Sequence, residues 1–156
     1  MYRKTIGALL AVGLLAACSS SDKDQARTGS SGTGDTAGIG GPGGPLASGG
    51  DKIFFDLDQS VVRADARPIL DAQAEWLKRN PSVNVTVAGD CDERGTEEYN
   101  LALGNRRAYA AASYLAVDGV ASSRIQTISY GKDRPLAPAS TEEAWAQNRN
   151  AITSVR

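Results

Sequence analysis

Ser82-Val83-Asn84-Val85-Thr86-Val87-Ala88 alternates small or polar with apolar side chains, and Gly89-Asp90-Cys91-Asp92-Glu93-Arg94-Gly95 and then Thr96-Glu97-Glu98 follow directly. A period of two belongs to a strand with one buried face. The next seven residues are polar and bounded by glycines, which reads as a loop. Thr96 has the side chain of a helix N-cap, and Glu97 and Glu98 complement the positive end of a helix dipole. Leu103, Ala110, Tyr114 and Leu115 carry that helix to about Val117, where Asp118-Gly119 ends it. A strand, a polar loop and a helix start therefore stand in sequence, and the rest of the fold is read outward from them.

Upstream, Lys52-Ile53-Phe54-Phe55-Asp56 reads as a short strand running into a polar loop at 57–60. Ala64 to Arg79 reads as a helix with Ile69, Leu70, Ala74, Trp76 and Leu77 at helical spacing; Pro68 fits only in its first turn, and Asn80-Pro81 stops it. Downstream, Arg124 to Tyr130 reads as a strand and Gly131 to Ala139 as a loop. A short helix near Thr141–Asn148 is expected to open on a Ser140-x-x-Glu143 capping box, and Ala151 to Val155 is expected to be the last strand. The order βαβαβ(α)β predicts an α+β fold, an α/β sandwich in which helices cover a single sheet. Trp76 and Trp145 are expected to anchor the core, and Arg124, Lys132 and Arg134 to be solvated loop charges.

The composition removes several classes of function. The chain has 156 residues with 17 Lys+Arg against 18 Asp+Glu, no histidine and two cysteines. Near-balanced charge argues against nucleic-acid binding by bulk electrostatics. Without histidine there is no Ser-His-Asp or Cys-His catalysis, and two cysteines make neither a structural zinc site nor a disulfide framework. No cofactor or metal is expected, and no enzymatic activity.

Residues 1–17 have the organisation of an export signal: Arg3 and Lys4, then an apolar run from Ile6 to Ala17 too short to span a bilayer. Leu15-Ala16-Ala17-Cys18 resembles the bacterial lipobox, which implies cleavage before Cys18 and its acylation, and Ser19 resembles the residue found in lipoproteins sorted to the outer membrane. Residues 18–50 then form a lipidated, Gly/Ser-rich linker with ten of the 17 glycines between Gly29 and Gly50. A flexible coil of that length has a span of about 30 Å and a stretched limit of roughly 105 Å. The folded domain is expected over 51–156.

The loop at 89–96 lies where α/β sheets bind ligands, between a strand end and a helix N-terminus. Asp92 in it and Arg107 on the helix, near Leu103, form an ammonium acceptor and a carboxylate donor that together suit a zwitterion. From the residues alone this signal is weak, since Asp, Glu and Arg around a helix start are most often a solvated face.

Ile53-Phe54-Phe55-Asp56-Leu57-Asp58, then Asp92-Glu93-Arg94-Gly95-Thr96-x-x-Tyr99-Asn100-Leu101-Ala102-Leu103-Gly104-x-Arg106-Arg107-Ala108, then Ser129-Tyr130-Gly131-Lys132-x-Arg134-Pro135 and Ala144-Trp145-x-x-Asn148-Arg149 resemble, in that order, the peptidoglycan-associated lipoproteins of the OmpA-like C-terminal domain family. The resemblance spans nearly all of 52–150. It implies a mixed sheet, no catalysis, and non-covalent binding of the peptidoglycan stem peptide. Asp92 and Arg107 would grip the ammonium and carboxylate of diaminopimelate, Phe55, Asp56 and Leu103 would line the same pocket, and Thr96 would cap the helix and border it. It further implies an outer-membrane anchor with the domain in the periplasm, partnership with TolB and other Tol proteins, and a part in envelope integrity and cell division. The alternative is an OmpA-like lipoprotein acting by protein contact in signalling or secretion.

Three positions depart from the family. Asp90 stands where histidine is usual and Cys91 where Ala or Thr is usual. A second carboxylate beside Asp92 could strengthen the hold on an ammonium or repel the ligand's carboxylate. Cys91 reads as a small buried residue at a strand end. Arg149-Asn150-Ala151-Ile152-Thr153 shifts the apolar phase of the last strand by one residue, which would turn its core side chain outward.

Overall fold

A computed structural model of the chain describes residues 50–156; the expected export signal, Cys18 and the expected linker to residue 49 lie outside the described residues. The elements are β1 (Lys52–Phe54), α1 (Arg67–Arg79), β2 (Val85–Asp90), α2 (Glu97–Val117), β3 (Ile125–Gly131), α3 (Glu142–Asn148) and β4 (Asn150–Val155), with a single 3₁₀ turn at Ser122–Arg124 before β3. The sheet order is β1-β4-β2-β3, with β4 antiparallel to both β1 and β2, and β2 parallel to β3. This is the α+β fold that the element order predicts, with the mixed sheet that the resemblance implies. Among the described residues no helix is long and apolar enough to cross a membrane.

One face of the sheet carries the core. Val85 and Val87 of β2, Ile53 of β1 and Ala151 of β4 meet Leu70, Ala74 and Leu77 of α1 and Ala108, Ala111 and Leu115 of α2 in one buried cluster. Pro68 sits in the first turn of α1, where its missing N–H costs nothing. Thr96 caps α2 as expected, its Oγ1 accepting from the Tyr99 N–H at 3.2 Å. Helix α2 lies close against β2 because two glycines face each other: a Cβ on Gly89 would stand 1.9 Å from the Gly104 carbonyl oxygen.

The alternating stretch needs a shift of boundaries: β2 starts at Val85, after a turn, and runs on through Gly89 to Asp90. The last helix is capped by Thr141, whose Oγ1 accepts from the Ala144 N–H, and not by Ser140. Arg124 is no solvated charge. It donates to the carbonyls of Leu77, Asn80 and Val83 and so supplies donors to the C-terminal end of α1. The last strand is neither frayed nor slipped. Ladders on both sides hold β4 in unbroken register from Asn150 opposite Asp90 to Val155 opposite Val85, and the displaced phase puts buried Ala151 and Thr153 on the core side and Ile152 on the other.

Candidate functional site

The turns leaving β1 and β2 converge on the first two turns of α2 and enclose a cavity of about 240 Å³. Asp92, Leu103 and Arg107 all line it, together with Leu57, Asp58, Cys91, Arg94, Gly95, Tyr99 and Asn100. Each comes from a local feature. Gly95 turns the chain at a φ of 88°, and Asn100 steadies the turn by donating to the carbonyls of Arg94 and Thr96. Asp58 takes the left-handed conformation at φ 57°, an arrangement Asp tolerates better than most residues, and its carboxylate accepts from the Tyr99 hydroxyl.

Asp92 is 5% exposed. Its carboxylate accepts from the Arg94 side chain (2.7 and 3.1 Å), from the Arg94 backbone N–H and from Arg149 (3.3 Å). Burial works against the charged form, but these hydrogen bonds outweigh it and hold the pKa below the ordinary aspartate value. Arg94 and Arg149 both also reach Glu142 of α3, at 3.5 and 3.0 Å, so two guanidiniums and two carboxylates alternate around a closed ring. Arg94 lies 4.1 Å from the Trp145 ring centroid, and the Trp145 indole donates to Glu93. Trp145 is therefore a half-buried clamp between α3 and the site loop and not a core anchor; Trp76 does pack against the core.

Arg107 is fully buried. It donates to the carbonyls of Gln59 (2.9 Å), Asp90 (2.9 Å) and Asp56 (3.2 Å), and its guanidinium lies over the Phe55 ring at 5.3 Å. These three contacts use three of the five N–H donors of the guanidinium. Arg107 is thus held by carbonyls rather than by carboxylates.

Phe55, Asp56 and Thr96 stand behind or beside the cavity and do not form its wall. The pleat turns Phe55 inward with Ile53, where it is 1% exposed, and turns the Asp56 carboxylate out to Arg63 at 2.8 Å. Their contribution is to carry Arg107, through the Phe55 ring and the Asp56 carbonyl. Lys132 and Arg134 are likewise committed: Lys132 donates to the Gly95 carbonyl, and Arg134 pairs with Asp90 at 3.3 Å and stacks on Tyr130. Cys91 is buried and donates to the Asn100 carbonyl; burial pushes its thiol up, with only Arg107 opposing. That is the opposite of an activated thiolate.

Reading the residues did not assign Arg149, Glu142, Asp58 or Asn100 to the site. The available signals were weak: a charge followed by a strand, and an asparagine inside the first turn of a helix, where that residue is a poor former unless its amide is bonded locally. Among the described residues no three His, Cys, Asp or Glu side chains come together as a metal site would require.

The model of the OmpA family matches residues 54–149. The peptidoglycan-associated lipoprotein of Brucella melitensis is 55% identical over 104 residues, which is 67% of this chain and 62% of that protein's length. Its namesake in Haemophilus influenzae is 39% identical over 141 residues, 90% of each chain. Among solved structures, that of the peptidoglycan-associated lipoprotein from Burkholderia pseudomallei superposes with a TM-score of 0.71 at 37% identity, covering 76% of this chain and 98% of that one.

Proposed function

The chain belongs to the OmpA family, and on that footing we propose that its domain holds the peptidoglycan stem peptide, non-covalently, through the zwitterionic end of diaminopimelate. One observation carries the reading: a carboxylate and a buried guanidinium, Asp92 and Arg107, open onto one small cavity beside apolar Leu103. The ligand's ammonium takes the place of Arg94 at Asp92, since Arg94 is one-third exposed and has Glu142 and Trp145 to hold it once displaced, while buried Arg149 stays. The ligand's carboxylate meets the unspent donors of Arg107. Phe55, Asp56 and Thr96 support these two groups from behind.

The rest of the chain fits the same task. In this reading residues 1–17 are removed as a signal, acyl chains on Cys18 sit in the outer membrane, and residues up to 50 are a tether from which the domain over 51–156 searches the periplasm. The protein is a mechanical link and not an enzyme. Its relatives' name points to the wall; partnership with TolB and the other Tol proteins, and a part in envelope integrity and division, belong to the proposal through family resemblance.

Co-sedimentation of the chain with purified sacculi tests it. Asp92→Asn keeps the shape but turns one acceptor oxygen into a donor and removes the charge that receives an ammonium, and is expected to weaken retention roughly tenfold or more. Undiminished retention would sink the assignment of Asp92. A wild-type chain that fails to sediment but captures a periplasmic protein would move the function to protein contact.

A further inference from the structure

Asp90 and Asn150 face each other across the antiparallel β2–β4 pair, on the side of the sheet away from Val85 and Val87. They are 2% and 0% exposed. Asp90 Oδ2 accepts from Arg134, and the Asn150 amide donates to the Gln147 carbonyl at 2.8 Å. The remaining oxygen of each, Asp90 Oδ1 and Asn150 Oδ1, is buried without a hydrogen-bond partner. Two orphan acceptors on directly opposed residues are costly, because a buried polar atom without a partner bears its full desolvation penalty. The Asn150 amide nitrogen is turned to Gln147 and, among the described residues, no other donor reaches either oxygen, so with Asp90 ionised both stay without a hydrogen.

We infer that Asp90 retains its carboxyl proton at pH values where an ordinary aspartate is ionised and donates it to Asn150 Oδ1, so that one hydrogen satisfies both buried oxygens. The charged group that meets the carboxyl is Arg134, reaching in from the segment between β3 and α3 while stacked on Tyr130. Arg107 approaches from α2 but is spent on the Asp90 backbone carbonyl; Cys91 and Asp92 follow on the same chain, and β4 presents only the uncharged Asn150. A single partly exposed guanidinium does not offset the burial: burial raises the Asp90 pKa, and Arg134 lowers it by less. The linkage follows. A carboxyl whose folded pKa lies above its unfolded one binds its proton more tightly when folded, so its stabilising effect is complete below the unfolded value and is lost as pH rises through the folded one. Asp92, two residues on, has the opposite sign. Because the Asp90 carbonyl is one of the three anchors of Arg107, the shared proton also fixes one wall of the candidate site.

Two measurements on the full chain test this. A ¹³C titration of the Asp90 carboxyl is expected to show a midpoint clearly above the ordinary aspartate value of about 3.9. Asn150→Ala, which removes the acceptor, is expected to lower that midpoint by about one pH unit. Thermal unfolding supplies the second arm. Asp90→Asn reproduces the protonated form, and is expected to melt about 4 °C above wild type at pH 7.5, with the gap closing to within about 1 °C at pH 4. A wild-type midpoint at or below the ordinary value overturns the inference. So does an equal or lower melting temperature for Asp90→Asn at pH 7.5, which is what an ordinary ion pair with Arg134 would give.

Discussion

Arg107→Ala is expected to lower the melting temperature of the chain by roughly 15–25 °C, from a loss of about 3–4 kcal/mol. The guanidinium is fully buried and, among the described residues, is the only side-chain donor to the Gln59 and Asp56 carbonyls, while also bonding Asp90. Removing it leaves the Gln59 carbonyl without that donor and strips one from Asp90 and from Asp56, which keeps only the Gln59 N–H at 3.1 Å, in a space that a methyl group does not fill. Arg107→Lys keeps the charge but cannot reach in three directions, and is expected to recover less than half of the loss. Circular dichroism melts of the three chains decide the matter; a fall of less than about 5 °C in the alanine chain would show that the turns do not depend on this post. The consequence for function is practical. Loss of wall binding in an Arg107 variant would not separate a missing contact from a collapsed site, and Asp92→Asn is the cleaner probe.

The second large effect is expected from Gly89→Ala. The added carbon would lie 1.9 Å from the Gly104 carbonyl oxygen, 2.7 Å from the Gly104 carbonyl carbon and 3.0 Å from the Ala108 nitrogen, all backbone of α2. No side chain can turn away to make room, so α2 must lift from β2 and lose its contact with Val85 and Val87. About 3 kcal/mol or more is expected from overpacking of this kind. Gly104→Ala meets the Ser129 hydroxyl at 2.3 Å and the Gly89 carbonyl at 2.7 Å; the hydroxyl can rotate away, so the cost is expected to be smaller. Gly119→Ala meets only the Lys78 stem at 3.5 Å and bears backbone strain alone at φ 99°, about 1 kcal/mol. Urea denaturation should rank the three in that order, and a Gly89→Ala chain as stable as Gly119→Ala would mean that the helix and strand are not in such close approach.

How far the sequence could be read depended on whether a residue's role was local. The strand, loop and helix start at 82–98 were legible because alternation, a glycine-bounded polar run and a capping threonine are each written in adjacent residues. Boundaries moved where the chain had two choices: Val83 continues the alternation, yet the strand starts at Val85, where β3 and β4 first offer partners. The pair Asp92 and Arg107 was legible as chemistry, and both line the cavity. Arg149 and Glu142 were not, since nothing near them in sequence announces that α3 folds back onto the site loop. Arg124 was misread as solvated for a related reason: its partners are the carbonyls of Leu77, Asn80 and Val83, far off in sequence, and spacing does not carry that information. Phe55 and Asp56 stand next to the site, where one step of the pleat sends the Phe55 ring inward and the Asp56 carboxylate out to Arg63, a direction that adjacency alone does not give.

The position of β1 has a mechanical meaning. The chain enters the domain at Gly50 and Asp51, at the start of β1, and the candidate site opens just past the end of that strand. If the membrane holds the amino end and the wall holds the site, tension runs along β1 and slides it against β4. The rungs Lys52–Ile152, Ile53–Ala151 and Phe54–Asn150, with the bonds from Gln73 to Gly50 and from Thr153 to Asp51, then share the load at once instead of peeling apart in turn. Pulling single chains between residue 50 and the Asp92 loop should therefore require more force than pulling between residue 50 and Arg156, where β1 and β4 are drawn apart from the same end.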